Sequence, residues 1–472
     1  MDTIMPEPRA CWVAGEAEQG DATTTVTHPY DGSPVADAVL PDDEQVERAV
    51  HGATTAVRAL AEVPARDRVA TLYRVADSLR DRQEEIAELV TAESGTPIVR
   101  SAGEVDEAAA LCEAAARHAE YPDQPAWQQD TAQRALVSTR QVARGSVLGI
   151  GSAGAPLAVA TAQVAAALAA GCPTVLKPAL RTPLATMLLG EVLAEQDLPA
   201  GWFSILPADH DTTARLLTDT RLPTVLFSGA VATAERLARA AERTRWVHLA
   251  GGVGTAVVLA DWPDLDWAAH RIACSGLAGG GSSSLATQRV IVESAIAEEF
   301  LPKLASAVRS ERAGSPYDDT VRIGPLADVD SARRAVDYID AAVSAGATLL
   351  AGGSTEDASM DPALITDVPT DSSLWTEEVA APLLAASVAD GPAGAFALAR
   401  QAPHTAAVGV LTRDTRQALS APTGLAPADI TTGDLPAFAT GRDQAMPRIG
   451  PDTRTLTRAI RALTDEQVTV WR

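Results

Sequence analysis

Apolar residues recur at helical spacing through much of the first quarter of the chain. Between residues 43 and 118 they include Val46, Ala49 and Val50, and few helix-breaking residues interrupt the pattern. This stretch is predicted to form two or three amphipathic helices. Beyond it, short apolar runs rich in β-branched residues alternate with helical stretches. Such alternation predicts an α/β fold, with a parallel sheet covered by helices on both faces.

The alternating region defines a series of predicted strands and helices. The strands are predicted at residues 146–150, 174–176, 203–206, 224–227, 256–259 and 289–292. Helices are predicted from about Pro156 and from Pro183, and two more end near Ala241 and Leu277. Two further segments, residues 134–142 and 467–471, alternate polar and apolar side chains. They are predicted to be isolated strands that need the edge of a partner sheet.

The length and composition indicate a large globular protein with more than one domain. At 472 residues, the chain exceeds the size at which a single hydrophobic core usually keeps growing. Hydrophobic residues make up 46% and charged residues 21% of the chain, which is ordinary for a globular protein. The formal net charge of -24 argues against nucleic acid and anionic membranes as partners, because binding to phosphates requires clustered Lys and Arg.

The cysteines and the chain ends bear on metal binding and location. Cys11, Cys112, Cys172 and Cys274 form no CxxC pair and show no metal-ligand spacing against the seven histidines. We therefore expect no metal site and a reduced environment. Neither end resembles a signal peptide, and the apolar stretch 157–170 is too short to span a bilayer. A cytoplasmic protein is the resulting expectation.

Two features suggest where a ligand binds. Lys177 and Lys303 are the only lysines in a chain whose other basic residues are arginine, so either is a candidate functional residue. The segment 149–154 matches the dinucleotide fingerprint GxGxxG between a predicted strand and a predicted helix. No Asp or Glu occurs between residues 146 and 190, although the fingerprint requires an acid about 20 residues on. A plain strand-to-helix turn is therefore favoured over a phosphate loop.

An ordered set of short motifs runs through nearly the whole chain. They are His28-Pro29-Tyr30-Asp31-Gly32, Ala92-Glu93-Ser94-Gly95-Thr96-Pro97, Leu168-Ala169-Ala170-Gly171-Cys172, Val175-Leu176-Lys177-Pro178-Ala179, Leu198-Pro199-Ala200-Gly201, Phe227-Ser228-Gly229, Gly251-Gly252, Ala260-Asp261, Asp264-Leu265-Asp266-Trp267, and Glu377-Glu378 followed by Pro382. In identity, order and spacing these motifs resemble the aldehyde dehydrogenase superfamily. The chain is identified as a divergent member of it.

The resemblance implies an architecture with three parts. A doubly wound, dinucleotide-binding-type domain would comprise residues 1–127 and 146–251, and a second α/β domain of the catalytic type would comprise residues 252–455. Residues 128–145 and 456–472 would form a β oligomerisation arm. A homodimer or homotetramer is the assembly that this resemblance implies.

The resemblance also assigns a nucleotide site. Lys177 would bind the adenosine ribose, Ser228 and Gly229 would open the helix that faces the pyrophosphate, and Glu378 would bind the nicotinamide ribose. The acid that the family places beside Lys177 is absent, because Leu180 stands at its position, and Arg181 next to it leaves NADP a candidate. Ala380 replaces the aromatic residue beside the nicotinamide. The expected cofactor is NAD or NADP, with binding weakened or lost.

The resemblance implies that the usual catalytic groups have been replaced. The family oxidises aldehydes with a cysteine, an asparagine that stabilises the oxyanion, and a glutamate that activates water. Their positions here hold Ser284, Gly154 and Leu249. A serine hydroxyl without a base is a poor nucleophile, so ordinary oxidation should be very slow. The candidate catalytic residues are Ser284 and His248, the neighbour of Leu249.

Each candidate also has a structural explanation. Ser284 is equally typical of a polar turn, and His248 of a strand residue with a satisfied hydrogen bond. Three hypotheses follow. We place first an enzyme that acts on an aldehyde or other carbonyl by non-standard, non-redox chemistry. An NAD(P)-dependent aldehyde oxidoreductase of altered mechanism and a non-catalytic family member are the alternatives.

Overall fold

Two seven-stranded sheets organise the chain. The computed structural model describes residues 8–120, 127–130, 135–241, 244–283, 285–425, 429–438, 447–448 and 450–471. The strands are β1 (Cys11–Val13), β2 (Glu16–Glu18), β3 (Thr23–Thr27), β4 (Pro34–Val39), β5 (Trp127–Asp130), β6 (Ala135–Ala143), β7 (Val147–Ile150), β8 (Thr174–Lys177), β9 (Phe203–Ile205), β10 (Thr224–Ser228), β11 (Arg245–Ala250), β12 (Val253–Val258), β13 (Thr287–Glu293), β14 (Thr348–Ala351), β15 (Thr355–Glu356), β16 (Ser359–Met360), β17 (Ala363–Thr366), β18 (Leu383–Ala389), β19 (Thr405–Leu411), β20 (Asp429–Thr432) and β21 (Thr464–Trp471). The helices are α1 (Asp43–Glu62), α2 (Ala65–Asp81), α3 (Gln83–Ser94), α4 (Ile98–Glu120), α5 (Pro156–Ala170), α6 (Leu184–Ala194), α7 (His210–Thr218), α8 (Val231–Ala240), α9 (Leu265–Leu277), α10 (Ser294–Ser310), α11 (Val329–Ser344), α12 (Ser373–Thr376), α13 (Gly391–Gln401), α14 (Thr415–Gly424) and α15 (Thr453–Ala462).

The first sheet has the strand order β11-β10-β7-β8-β9-β1-β2. Its strands β11, β10, β7, β8 and β9 are parallel, and β1 and β2 add an antiparallel edge. Helices cover its faces, and α5 between β7 and β8 is buried along its whole length. The predicted α/β architecture is confirmed. β11 was not predicted, because its residues are mostly half-exposed and lack a continuous apolar run.

The second sheet has the order β14-β17-β18-β13-β12-β19-β20. Only β14 is antiparallel to its neighbour; the other strands are parallel. The chain passes from the first sheet to the second between β11 and β12, at Gly251 and Gly252. Gly252 has φ +83° and lies against the backbone carbonyl of His404, a conformation that suits glycine. Helix α15, from the other end of the chain, packs in the core around α4 and α5. The exact domain bounds stay a prediction.

The helical stretch before the first sheet contains four helices, α1 to α4, instead of the two or three predicted. Pro64 precedes α2, and Gly95 ends α3 in the left-handed conformation, so both breaks carry a residue that favours them. The break between α2 and α3 falls at Arg82, which has φ -103° and ψ 19°. Arginine gives no breaking signal in the sequence, and the extra helix was therefore missed.

The third sheet joins the two segments predicted as isolated strands. β21 pairs antiparallel with β6 from Thr464 opposite Ala143 to Trp471 opposite Leu136, and β5 lies on the other side of β6. Val468 and Val470 are 54% and 50% exposed. Such apolar residues on an edge strand are unusual, because an exposed edge invites pairing with another chain. A role of this sheet in oligomerisation stays a prediction.

That role can be tested without deleting the strand. The double substitution Val468→Glu and Val470→Glu should lower the oligomeric state measured by light scattering, because the charges oppose burial of this strand in an interface. Thr469→Glu, at the position between them, is the matched control for the opposite face. An unchanged oligomer in the double variant would show that β21 is not part of the interface.

No helix in the described parts of the chain is long and apolar enough to cross a membrane.

Candidate active site

A cavity of about 510 Å³ lies where loops from both large sheets meet. Its wall includes the loops that follow β7 and β8 in the first sheet and the loops that precede β13 and β18 in the second. The turn between α3 and α4 and the first half of α11 complete the wall. Ligand sites commonly form in such clefts between domains, so this cavity is the candidate active site.

The strand order places a second binding region beside the cavity. β8 and β9 lie on one side of β7, whereas β10 and β11 lie on the other. The order therefore reverses between β7 and β10, and ligands of doubly wound sheets bind beyond the carboxyl ends of strands at such a reversal. β7 ends at Ile150 and β10 ends at Ser228. The sequence-predicted nucleotide residues Ser228 and Gly229 lie at this point.

Three consecutive glycines shape one edge of the cavity. Gly279, Gly280 and Gly281 have φ of 58°, 62° and 76°. A Cβ atom at Gly281 would lie 1.9 Å from the carbonyl oxygen of Ala381. Both the positive φ and the short contact exclude any residue other than glycine at position 281. The serine-containing loop after these glycines is thereby held against the segment that carries Glu378 and Ala380.

Small residues line the part of the cavity in which the resemblance places the family's catalytic groups. Gly154, Ser282 and Ser283 line the cavity, and Ala380 lines it from the opposite loop. A Cβ atom at Gly154 would lie 3.3 Å from the Ser282 hydroxyl oxygen, which donates a hydrogen bond to the Gly279 carbonyl at 2.6 Å. Ser284 lies outside the described residues. The fingerprint-like segment 149–154 therefore ends at the cavity wall, as expected for a strand-to-helix turn.

Two buried carboxylates fix the loops behind this wall. Glu104 accepts hydrogen bonds through Oε1 from the backbone N–H groups of Leu157 and Ala158, at 2.9 and 3.0 Å, at the start of α5. Glu93 accepts from Leu184 and Ala185 at the start of α6, at 2.6 and 3.0 Å. Burial raises the pKa of each carboxyl to about 8. These contacts satisfy helix N-terminal N–H groups that would otherwise be buried without partners, so both carboxylates are structural.

A polar cluster on α11 faces the cavity. Arg181 and Asp328 form an ion pair at 2.8 Å, and Ser331 donates to Asp328. The Ser331 hydrogen bond lowers the pKa of Asp328 to about 2, with a further contribution from Arg181. Arg334 donates to the Ser331 hydroxyl at 2.8 Å and makes no ion pair with any residue that the structure describes. Arg181 is therefore partly neutralised by its partner, whereas Arg334 keeps an uncompensated charge.

Tyr338 lies on the same wall and is hydrogen-bonded to Glu377. Its hydroxyl donates to the Glu377 carboxylate at 2.6 Å, and this bond raises the pKa of Tyr338 to about 12. Sequence analysis missed Tyr338, Arg334 and Asp328. Polar residues on an amphipathic helix are usually solvated, and only the packing of α11 turns this face towards a cavity. The one local signal was Asp328 three residues before Ser331, a helix-capping pattern.

Three of the residues predicted to bind a nucleotide, Ser228, Gly229 and Glu378, meet at the N-terminus of α8. Ser228 is 1% exposed and its hydroxyl has no hydrogen-bond partner among the residues that the structure describes, and Gly229 has φ +150°. The Glu378 carboxylate accepts a hydrogen bond from the Val231 backbone N–H at 3.0 Å. Burial raises the pKa of Glu378, opposed by the backbone N–H groups of Val231 and Gly252. Glu378 thus occupies the helix terminus that the resemblance assigns to an anionic pyrophosphate.

The other two predicted residues lie apart from the reacting end. His248 is exposed, its ring Nε2 is 2.8 Å from the Gly229 carbonyl oxygen, and it is not among the residues that line the cavity. Lys177 ends β8, in a small depression beside Gly151, and burial lowers its pKa. The Lys177 ammonium makes no hydrogen bond or ion pair with the described residues. The structure therefore brings His248 and Glu378 to α8, leaves Lys177 beside β7, and places Arg181 in the cavity.

Known proteins are similar to this chain in both sequence and fold. The sequence profile of the aldehyde dehydrogenase family matches residues 12–435. The chain is 30% identical over 382 residues to malonate-semialdehyde dehydrogenase of Halalkalibacterium halodurans, covering 79% of this chain and 77% of the relative. It is 29% identical over 374 residues to glutarate-semialdehyde dehydrogenase of Pseudomonas putida, covering 78% and 77%. The crystal structure of aldehyde dehydrogenase 21 from Physcomitrella patens with its reaction product succinate superposes with a TM-score of 0.92, at 27% identity and 99% coverage of both chains. The chain therefore belongs to the aldehyde dehydrogenase family.

Proposed function

We propose that this family member converts a carboxylate-bearing carbonyl compound by chemistry that does not depend on a cysteine thiolate. The observation that supports the proposal most strongly is the composition of the cavity wall. Gly154, Ser282 and Ser283 line it, and Cys274 is not among the lining residues. Leu249, at the position of the family's glutamate, is 7% exposed and packs in the hydrophobic core. Attack by a thiolate, stabilisation by an amide and activation of water would all lack their usual groups.

An arginine without an ion-pair partner in the described chain supports an anionic substrate, although the cavity wall also carries the acidic side chains of Asp328 and Glu378. Arg334 lines it without an ion-pair partner in the described chain, and Arg181 lines it beside Asp328. Arginine binds carboxylates with two parallel hydrogen bonds. The relatives named above act on malonate and glutarate semialdehydes, and the similar crystal structure holds succinate. A short semialdehyde, or a related compound with a carbonyl at one end and a carboxylate at the other, fits the same requirements.

Non-redox conversion is the reaction class that we favour. Ser284, which lies outside the described residues, is the proposed nucleophile or hydrogen-bonding group at the carbonyl, and Ser282 and Ser283 just before it line the cavity. Isomerisation and cyclisation of a semialdehyde proceed without a net change in oxidation state, whereas hydrolysis and acyl transfer also need a leaving group on the carbonyl and would apply to an ester or thioester analogue. His248, on β11, contacts Gly229 next to the N-terminus of α8. It would therefore have to act from the side of the site where a nucleotide is proposed to bind.

NAD(P)-dependent oxidation is the second candidate, and Lys177 favours it. A buried ammonium that has no ion-pair partner among the described residues is costly, and a ribose or phosphate oxygen would satisfy it. Arg181 leaves NADP a candidate, although its pairing with Asp328 holds it at the cavity. If a nucleotide binds, Lys177, Ser228 and Gly229 are the residues proposed to hold it, and it would accept the hydride that oxidation releases. We propose weak binding, because Glu378 already occupies the N-terminus of α8.

One experiment separates these candidates. The purified protein is incubated with malonate, succinate and glutarate semialdehydes, with and without NAD or NADP, and products are followed by NMR and reduced cofactor by absorbance. We expect conversion without formation of NADH or NADPH, and at least a tenfold loss of kcat/KM in Arg334→Gln, because a charged hydrogen bond is worth about 1.5–3 kcal/mol. Arg333→Gln is the matched control, since Arg333 pairs with Asp330 outside the cavity. Cofactor reduction in step with product would favour the second candidate, and no conversion of any compound would favour a non-catalytic role.

A further inference from the structure

Three metal-ligating side chains meet outside the cavity. His270 and Cys274 lie one turn apart on α9, and Glu311 follows the last residue of α10. The Cys274 sulfur is 3.5 Å from His270 Nε2 and 3.4 Å from Glu311 Oε1. Sequence spacing alone predicted no metal site, because Glu311 is 37 residues after Cys274 and only the packing of α10 on α9 joins them.

The spacing of these atoms matches a tetrahedral metal centre. With Zn–S of about 2.3 Å and Zn–N or Zn–O of about 2.0 Å, tetrahedral angles separate the sulfur from the other two ligand atoms by about 3.5 Å. The observed distances of 3.5 and 3.4 Å agree with this value. All three ligand atoms lie within 4.8 Å of one another. The cluster can therefore accept a metal ion with small side-chain adjustments.

The charges of the cluster favour a divalent cation. Without one, the Cys274 thiol donates a hydrogen bond to the Glu311 carboxylate. A bound dication reverses this situation, because it stabilises the thiolate and the thiol proton is released to solvent. One thiolate, one carboxylate and one Zn²⁺ ion are together neutral. Of the two arginines whose charges act on Cys274, Arg100 donates to the Pro447 carbonyl and Arg271 pairs with Asp434.

We propose that His270 Nε2, Cys274 Sγ and a Glu311 carboxylate oxygen form a binding site for Zn²⁺ or a cation of similar preference. The nitrogen, sulfur and oxygen ligands are those that Zn²⁺ accepts, and they would exclude Mg²⁺, which prefers oxygen alone. His270 is exposed, so the fourth position opens to solvent and takes a water molecule. The site would join α9 to the end of α10. Since α9 leads directly into Gly279–Gly281, the ion would also restrain the edge of the cavity.

Cobalt spectroscopy of the full-length protein tests the site. After treatment with a chelator, we expect one equivalent of Co²⁺ to produce thiolate-to-metal charge-transfer absorption and tetrahedral d–d bands, and one equivalent of Zn²⁺ to remove them. Loss of an outer-shell partner typically weakens metal binding by about 10–100-fold. His270→Gln, Cys274→Ser and Glu311→Gln should each weaken Zn²⁺ binding at least as much. His51→Gln, on α1, is the matched control and should bind normally.

Thiol modification gives an independent measurement. Cys11, Cys112 and Cys172 are buried, and Cys274 is the accessible cysteine. Stoichiometric Zn²⁺ should slow alkylation of Cys274 at least tenfold in the wild-type protein but not in Glu311→Gln, whose surface substitution leaves the thiol in place. Absence of the thiolate band, equal Zn²⁺ affinity in the Cys274→Ser variant, or alkylation that Zn²⁺ does not slow would each overturn the proposal.

Discussion

The double variant Gly154→Asn and Ser284→Cys should form about one equivalent of reduced NAD(P) when it is mixed with a semialdehyde and cofactor. The thiol supplies the nucleophile and the amide stabilises the oxyanion, so a tetrahedral adduct can form and transfer its hydride. Removing one oxyanion donor typically costs about 10²–10³ in turnover. Each single variant should therefore do little alone, because these groups act as a unit.

The structure permits the asparagine at residue 154. The three atoms nearest to a Cβ there all belong to Ser282, at 3.3 to 3.7 Å, so the Ser282 side chain would have to shift by a few tenths of an ångström. Leu249→Glu, the third restoration, is different because Leu249 packs in the core. Adding it should convert the single burst into repeated turnover by activating water, at a cost in stability that thermal unfolding would measure. Rapid-mixing absorbance separates the burst from turnover.

The control for this experiment is the double variant Gly154→Asn and Ser284→Ala, which should give no burst. If the unmodified protein instead oxidises semialdehydes rapidly, and Ser284→Ala does so equally well, the proposed loss of the family chemistry is wrong. Another nucleophile in the chain would then have to be found. A double variant that binds cofactor but shows no burst would show that more than these two groups has changed.

Glu378→Gln should strengthen NAD binding by about tenfold, which corresponds to about 1.4 kcal/mol. The Glu378 carboxylate accepts a hydrogen bond from Val231 at the N-terminus of α8, where the pyrophosphate of a nucleotide would otherwise bind. The substitution removes the repulsion between the Glu378 charge and the pyrophosphate, and the neutral glutamine oxygen accepts the Val231 hydrogen bond more weakly than the carboxylate does. Calorimetric titration of wild type and variant with NAD measures the effect. Lys177→Ala should abolish the binding in both proteins.

The opposite result is equally informative. If Glu378→Gln weakens NAD binding, the glutamate contacts the nicotinamide ribose, as the resemblance implies. If Lys177→Ala has no effect on tight binding, the nucleotide uses a different mode from the rest of the family. Leu180→Glu, which restores the family's acid beside Lys177, should strengthen binding in the first case and change little in the second.

The same contact predicts a pH dependence. Burial raises the pKa of Glu378 above its usual value of 4.5, so lowering the pH protonates it earlier than an exposed glutamate. Its repulsion of the pyrophosphate is present above that pKa and is lost as the pH falls through it. NAD affinity should therefore increase as the pH falls, more in wild type than in Glu378→Gln, and the increase should begin at a higher pH than an exposed glutamate would give. His248 and His404 also face Glu378, but both remain in the variant.

The fold could be predicted because its signals are local and repeated. Buried strands such as β7 and β12 are short and mostly apolar, and each is followed by a longer helix, α5 or α9. β11 was missed because an edge strand with mostly half-exposed residues has no such run. The break at Arg82 was missed because no glycine or proline marks it. These failures concern elements whose structure depends on their neighbours.

The site was harder to predict because it is assembled from distant segments. Glu378 and Arg181 were found through motifs, yet their partners Val231 and Asp328 are about 150 residues away in the chain. Arg334 lies in a segment with no motif at all. A sequence pattern can assign a residue to a family position, but it does not show which hydrogen bond that residue has already made.

The contact between Gly281 and Ala381 links two events that are usually considered separately. If a nucleotide displaces Glu378 from α8 and the backbone moves with it as far as Ala381, the serine loop must move too, because the Ala381 carbonyl oxygen leaves no room for even a Cβ atom at Gly281. The displacement would therefore be transmitted to the serine loop as a steric push. Occupancy of one side of the cavity would then set the geometry of the other, so that nucleotide and carbonyl ligand should alter each other's affinity by the same factor.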